Sequence, residues 1–227
     1  MRIILSDDKR SVGGPAIFID RDGVINTRRA NDYVLTWSEF AFIPGIREAL
    51  RQLSALCLPM IMISNQSAVG RGLLTPAALE EITLRMNQTL LTDRISFAAA
   101  YFCPHRPDEH CLCRKPQPEL LRRAAADFNL ELTRSIFIGD SDTDMQAARA
   151  AGCQPVLFGP GLSSNSESLH WMSGLPVAPT ASELFEVAAA SLIAAGQATA
   201  AGRPLKIRIG APLTEPQVDP SPRPRSS

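Results

Sequence analysis

Ala16-Ile17-Phe18-Ile19-Asp20-Arg21-Asp22-Gly23 is the stretch on which the fold turns. Four apolar residues without alternation predict a short strand buried on both faces, and the run stops at a carboxylate. Asp22 follows two residues on, with Gly23 permitting a tight turn. The pattern recurs. Met60-Ile61-Met62-Ile63 stops at Ser64-Asn65-Gln66, and Ser135-Ile136-Phe137-Ile138 stops at Gly139-Asp140. Residues 98–102 and 155–158 are two further strand candidates. Between them lie helical patterns. One opens at Pro44 and runs through Ile46, Ala49, Leu50 and Leu53; another runs from Thr75-Pro76 to about Leu91 with Thr75 as N-cap. Residues 118–129, 144–151 and 181–195 read as helices too. Short buried strands alternating with helices predict an α/β fold, a doubly wound parallel sheet that binds ligands beyond the carboxyl ends of its strands.

Outward from that core, 227 residues suit one domain, and 45% apolar residues is ordinary for a globule. Lys+Arg and Asp+Glu both total 23, and aromatics are only 6%. That balance gives no argument for nucleic acid or an acidic membrane as partner, and neither is expected, although a balanced total leaves room for a local basic patch. No apolar run approaches the roughly 20 residues of a membrane helix. Ile3-Ile4-Leu5 is too short for a secretory segment, so a cytoplasmic location is expected. Residues 1–15 read as a loose lead-in and 16–196 as the domain. Residues 197–227 carry Pro204, Pro212, Pro216, Pro220, Pro222 and Pro224 with few apolar partners, and read as disordered.

The carboxylates carry the chemistry. If the strands before Asp20 and Asp140 are neighbours, both acids reach one sheet edge together with Asp22. Three acidic groups there repel unless a cation sits among them, and hard oxygen ligands suit Mg²⁺. Strand-end aspartates also serve as plain turn formers and helix caps. The five cysteines do not form a disulfide framework: Cys103, Cys111 and Cys113 crowd beside His105, which is metal-site spacing. Cys57 and Cys153 read as buried residues.

Asp20-Arg21-Asp22-Gly23-Val24-Ile25-Asn26, Ser64-Asn65-Gln66, Lys115 within Arg114-Lys115-Pro116, and Gly139-Asp140-Ser141-Asp142-Thr143-Asp144 occur in order over residues 16–158. Together they resemble the four motifs of the haloacid-dehalogenase-like phosphohydrolases. Residues 103–116, Cys-Pro-His-Arg-Pro-Asp-Glu-His-Cys-Leu-Cys-Arg-Lys-Pro, resemble the zinc loop of that family's heptose-bisphosphate and histidinol-phosphate phosphatases. The resemblance implies a minimal cap and a structural Zn²⁺ on Cys103, His105, Cys111 and Cys113. His110 competes with His105, but Cys-x-His matches the family and His110 abuts Cys111 with little chelate freedom.

The resemblance also implies a mechanism. Asp20 attacks phosphorus and forms an aspartyl-phosphate, while Asp22 acts as general acid and then base. Mg²⁺ is expected on Asp20, Asp140 and the backbone carbonyl of Asp22, with Asp144 supporting it indirectly. Ser64 and Lys115 would hold the phosphate oxygens. Selectivity is expected from residues 28–33 and from Asn65, Gln66, Ser67, Arg71, Arg106 and Arg114. The implied partner is a small phosphorylated metabolite, a sugar bisphosphate losing its 7-phosphate from a heptose, acted on by a monomer. Histidinol phosphate remains the alternative substrate, since an amine wants a carboxylate where a second phosphate wants arginine. A catalytically idle zinc module that binds a partner would account for residues 103–116, but not for Asp20, Asp22, Lys115 and Asp140 together.

Overall fold

Each buried run becomes a strand. The computed structural model describes residues 1–6, 13–29, 33–159 and 174–198. In chain order the elements are β1 (Arg2–Ile4), β2 (Ile17–Ile19), α1 (Ile46–Ser54), β3 (Met60–Asn65), α2 (Ser67–Gly70), α3 (Pro76–Thr92) and β4 (Ala99–Cys103). Then come α4 (Glu119–Phe128), β5 (Ile136–Gly139), α5 (Asp142–Ala151), β6 (Gln154–Phe158), β7 (Val177–Ala178) and α6 (Ala181–Ala198). Among the described residues the strands form one sheet in the order β1-β4-β3-β2-β5-β6-β7, parallel except for β1.

β2 lies at the centre, and its three residues are fully buried. Ile17 and Ile19 pack on one face with Leu50 of α1, Met86 of α3 and Leu184 of α6. Phe18 packs on the other with Leu121 of α4 and Ala148 of α5. Burying such a side chain is worth roughly 1.5–3 kcal/mol, so a three-residue strand is held firmly from both sides. The chain winds outward through β3 and β4, then crosses back to β5, β6 and β7 on the opposite side. Ile19 is level with both Met62 and Ile138, so β2 and β5 end nearly side by side, while β3 runs on to Asn65. The boundary between β2 and β5 is therefore the topological switch point, where such sheets bind ligands.

Local signals set the helix ends. Thr75 Oγ1 accepts from the Ala78 amide at 3.1 Å, with Pro76 in the first helical position. α1 starts at Ile46 rather than at Pro44, because Gly45 takes a left-handed φ of 79° and caps it. α5 starts two residues before Asp144, because Ser141 and Asp144 cap each other reciprocally.

Other readings need correction. The first residues are not a loose lead-in. Arg2-Ile3-Ile4 alternates exposed, buried, exposed and pairs antiparallel with β4, covering its edge with Ile3. The terminal ammonium donates to the Phe102 carbonyl at 3.0 Å, and Arg2 pairs with Asp127 at 2.8 Å. Cys153 is buried, but Cys57 is exposed, since it turns the chain after α1 with φ 56°. The proline-rich stretch from residue 199 onward lies outside the described residues, as do residues 7–12 and 30–32 of the segments read above. No described helix is long and apolar enough to cross a membrane.

Candidate active site

Asp20, Ser64 and Asp140 emerge together at the carboxyl ends of β2, β3 and β5. Asp20 is only 4% exposed, and its Oδ1 accepts from Lys115 Nζ at 2.9 Å and from the Arg21 amide at 2.7 Å. Lys115 arrives from the segment after β4 and is buried as well. Its ammonium also meets Asp144 Oδ1 at 2.6 Å and the Ile63 carbonyl at 3.2 Å, over the Phe137 ring. Asn65 fixes the Lys115 backbone in both directions: its Nδ2 donates to the Lys115 carbonyl at 3.2 Å, and its Oδ1 accepts the Lys115 amide at 3.1 Å. Read from the sequence as a substrate contact, Asn65 in the structure splints the end of β3 to the lysine.

Asp20, Asp140 and Asp144 bring oxygens within 4.8 Å of one another. Two glycines make room for them. A Cβ at Gly23, whose φ is +91°, would fall on Asp140 Oδ2, and one at Gly139 would overlap Asp144. The electrostatics follow from burial. It lifts the Asp20 carboxyl to about 6, against the pull of Lys115 and with Asp144 and Asp22 adding to it. Burial and the Asp20 charge lift Asp140 to about 7. Burial alone would lower Lys115, but Asp144 and Asp20 outweigh it and hold the ammonium above its ordinary range. These carboxyls thus resist full ionisation together unless a further cation joins them. An all-oxygen donor set cradled by two glycines fits a hard divalent ion.

Asp22 is held differently. Its carboxylate accepts from Arg21 Nη2 at 2.9 Å and Arg21 Nε at 3.2 Å, from Asn26 Nδ2 at 3.0 Å and from Gln66 Nε2 at 2.7 Å. Burial would raise it, but the Arg21 charge and these bonds keep it below the usual carboxylate range. Its side chain does not join the carboxylate cluster; its backbone carbonyl lies 3.5 Å from Arg28 Nη2, which also donates to Asp140 Oδ1. Arg21, 1% exposed, and Asn26 went unread in the sequence. An arginine set between two aspartates was the available signal for the first. Gln66 also donates to Ser64 Oγ at 3.1 Å, joining the general-acid candidate to the hydroxyl at the end of β3.

A cavity of about 520 Å³ opens above these groups. Asp20, Asp22, Ser64, Asn65 and Lys115 form its floor, and Arg28, Arg29, Tyr33, Ser67 and Arg114 stand around it. Arg71 and Arg106 are not among its lining residues. Arg71 is exposed at the end of α2, and Arg106 pairs with Asp108 at 3.1 Å.

Beside the cavity, Cys103, His105, Cys111 and Cys113 converge. Four of their separations are 3.5, 3.6, 3.3 and 3.7 Å: Cys103 to Cys111, Cys103 to His105, His105 to Cys113, and Cys111 to Cys113. Tetrahedral zinc with Zn–S near ~2.3 Å and Zn–N near ~2.0 Å gives sulfur–sulfur edges of about 3.8 Å and sulfur–nitrogen edges of about 3.5 Å, within a few tenths of an ångström of these separations. His110 stands outside this group, exposed, with φ 47°.

The sequence matches a HAD-hydrolase-like family model over residues 112–184. It is 38% identical over 145 residues to the D-glycero-β-D-manno-heptose-1,7-bisphosphate 7-phosphatase of Pseudomonas aeruginosa, across 64% of this chain and 81% of that protein. The corresponding protein of Helicobacter pylori strain J99 is 40% identical over 133 residues, 58% of this chain and 75% of that one. Among solved structures, the D,D-heptose 1,7-bisphosphate phosphatase from B. bronchiseptica, complexed with magnesium and phosphate, superposes with a TM-score of 0.67 at 32% identity. That match spans 76% of this chain and 96% of the other.

Proposed function

The chain belongs to the haloacid-dehalogenase-like hydrolases and is a phosphomonoesterase; from that premise we propose that it removes the 7-phosphate of a heptose 1,7-bisphosphate through a phosphoryl intermediate on Asp20. The observation that carries this reading is the Asp20 carboxylate, fixed by Lys115 at 2.9 Å on the floor of a cavity rimmed by arginines. The substrate class comes from the relatives, whose names specify that sugar bisphosphate.

Asp20 is the group to attack phosphorus, since Lys115 orients its Oδ1 and the rest of the carboxylate is left to face the cavity. Splitting the displacement into two steps through a covalent acyl-phosphate on Asp20 lowers each barrier. Lys115 and Ser64 would hold the equatorial oxygens of the transferring group. Asp22 would hand a proton to the departing sugar oxygen and take one from the incoming water. To do so it must first loosen from Arg21 and Gln66, which now occupy it as donors. Mg²⁺ would be held by Asp20, Asp140 and the Asp22 carbonyl, where it offsets charge on the phosphate oxygens. Zinc on Cys103, His105, Cys111 and Cys113 would be structural, because four protein ligands leave no open position.

Arg28, Arg29 and Arg114 line the walls, which favours a second anion on the substrate over an amine. The test compares heptose 1,7-bisphosphate, histidinol phosphate and a small generic monophosphate, on wild type and on Arg114→Ala. The expected result is a preference for the bisphosphate that falls roughly 10- to 100-fold in Arg114→Ala, the size of about 1.5–3 kcal/mol for a hydrogen bond to a charged group. The small monophosphate should barely change. Preference for histidinol phosphate, or an equal loss on both phosphate esters, would contradict the bisphosphate reading.

A further inference from the structure

One side chain stands where the metal is assigned. Arg28 Nη2 donates to Asp140 Oδ1 at 2.8 Å and lies 3.5 Å from the Asp22 carbonyl. Asp140 and the Asp22 carbonyl are two of the three groups given to Mg²⁺ above. The two partners differ in burial: the Arg28 side chain is 56% exposed, the Asp140 side chain 14%. Lys115, by contrast, is buried and held by Asp20, Asp144 and Ile63 at once. Of the two cations that touch the carboxylate cluster among the described residues, Arg28 is the one that can leave without opening the core.

We propose that Arg28 is a built-in competitor of the divalent cation, holding Asp140 and the Asp22 carbonyl in the metal-free protein and released into the cavity when the metal binds. The inference rests on the metal site proposed above and goes beyond it by assigning a role to a residue of the selectivity loop. The physical reason is charge. Asp140 sits beside Asp20 in a mostly buried cluster, and an unpaired carboxylate there is costly. A guanidinium offsets that cost when no metal does. It is a diffuse cation on a long stem, whereas a divalent ion brings two charges and binds Asp20 as well, so the ion prevails at saturation. Once displaced, Arg28 remains on the cavity wall with its charge free for the substrate. Metal loading and preparation of the phosphate-binding wall thus become one event. The same exchange lowers the apparent metal affinity by a fixed factor in the absence of substrate.

The experiment measures Mn²⁺ binding by calorimetry to zinc-replete, full-length protein first stripped of Mg²⁺. Wild type, Arg28→Ala, Arg29→Ala, Arg114→Ala and Asp140→Asn are compared at moderate salt. Each arginine variant removes one positive charge from the same cavity, but only Arg28 touches the assigned oxygens. The expected result is Mn²⁺ binding tightened about 2- to 5-fold in Arg28→Ala, the size of a partly exposed ion pair. Arg29→Ala and Arg114→Ala should change by less than half as much. Unchanged affinity in Arg28→Ala, or equal tightening in all three variants, would overturn the competition. Failure of the underlying site is distinguishable: wild type that binds no Mn²⁺, or binding indifferent to Asp140→Asn, removes the metal site itself.

Discussion

At the residue scale, the site is a set of carboxylates held closer together than they would choose. Asp20 keeps its proton to about 6 and Asp140 to about 7, both chiefly through burial. Unfolded aspartates titrate near ~3.9, so between about pH 4 and pH 7 the folded chain binds more protons than the unfolded one. Stability therefore falls as pH rises through that window. Asp22, held below its ordinary range, acts in the opposite sense but only at more acid pH. The expected outcome is a melting temperature of the metal-free protein that declines from pH 5 to pH 7.5. With saturating Mg²⁺ the decline should vanish, because the cation replaces the protons. Thermal scans at both pH values, with and without Mg²⁺, check this; a metal-free protein that gains stability across the interval would be inconsistent with the cluster. Asp20 and Asp140 were legible in the sequence because each ends a buried run. Arg21 and Asn26 are less legible: an arginine between two aspartates signals the first, but the side-chain contacts of both to Asp22 emerge only in the fold. Asn65 lines the cavity as expected of a substrate contact, and only the fold reveals that its amide also holds the Lys115 backbone behind it.

At the element scale, the decisive piece is the segment from Cys103 to Lys115, which leaves the end of β4 and returns a lysine to the floor of the site. Two anchors fix that return. One is the Asn65 splint, and the other is the cysteine and histidine cluster two residues upstream of Lys115. Gly70 at the end of α2 supports the same segment, since a Cβ there would collide with the Pro104 carbonyl. Replacing Cys111 and Cys113 with Ser is expected to release about one zinc per chain, as fits a single four-ligand site. It should also lower the melting temperature, since structural zinc contributes folding free energy directly. Activity should drop as well, through a displaced Lys115 rather than through lost chemistry. Metal analysis of protein purified without chelator measures the first point, and finding no zinc in the native chain would remove this anchor from the account.

At the scale of the whole molecule, the sheet order brings distant residues to one place. Asp20 and Asp140 are 120 positions apart in sequence, yet β2 and β5 are neighbours in register. The parallel sheet and its two-sided helical cover were legible, since runs such as residues 16–19 and 60–63 are apolar without alternation and must be buried on both faces. β1 was not, because Arg2-Ile3-Ile4 offers a single buried residue and draws its order from the edge of β4. β7 and α2 are too short for any period to register. What this architecture is proposed to do is present one nucleophile, Asp20, to a phosphate. The most direct test quenches the enzyme during steady-state turnover with Mg²⁺ and reduces any acyl-phosphate with borohydride, which converts the phosphorylated aspartate to homoserine. The tryptic peptide of residues 11–21 contains Asp20 as its only side-chain carboxylate, so mass spectrometry reads the position without ambiguity. The expected result is homoserine at position 20 in wild type, dependent on substrate and absent from Asp20→Asn. Homoserine at Asp140 or Asp144 instead, or an unmodified 11–21 peptide under conditions that trap the intermediate of a related phosphatase, would contradict the account.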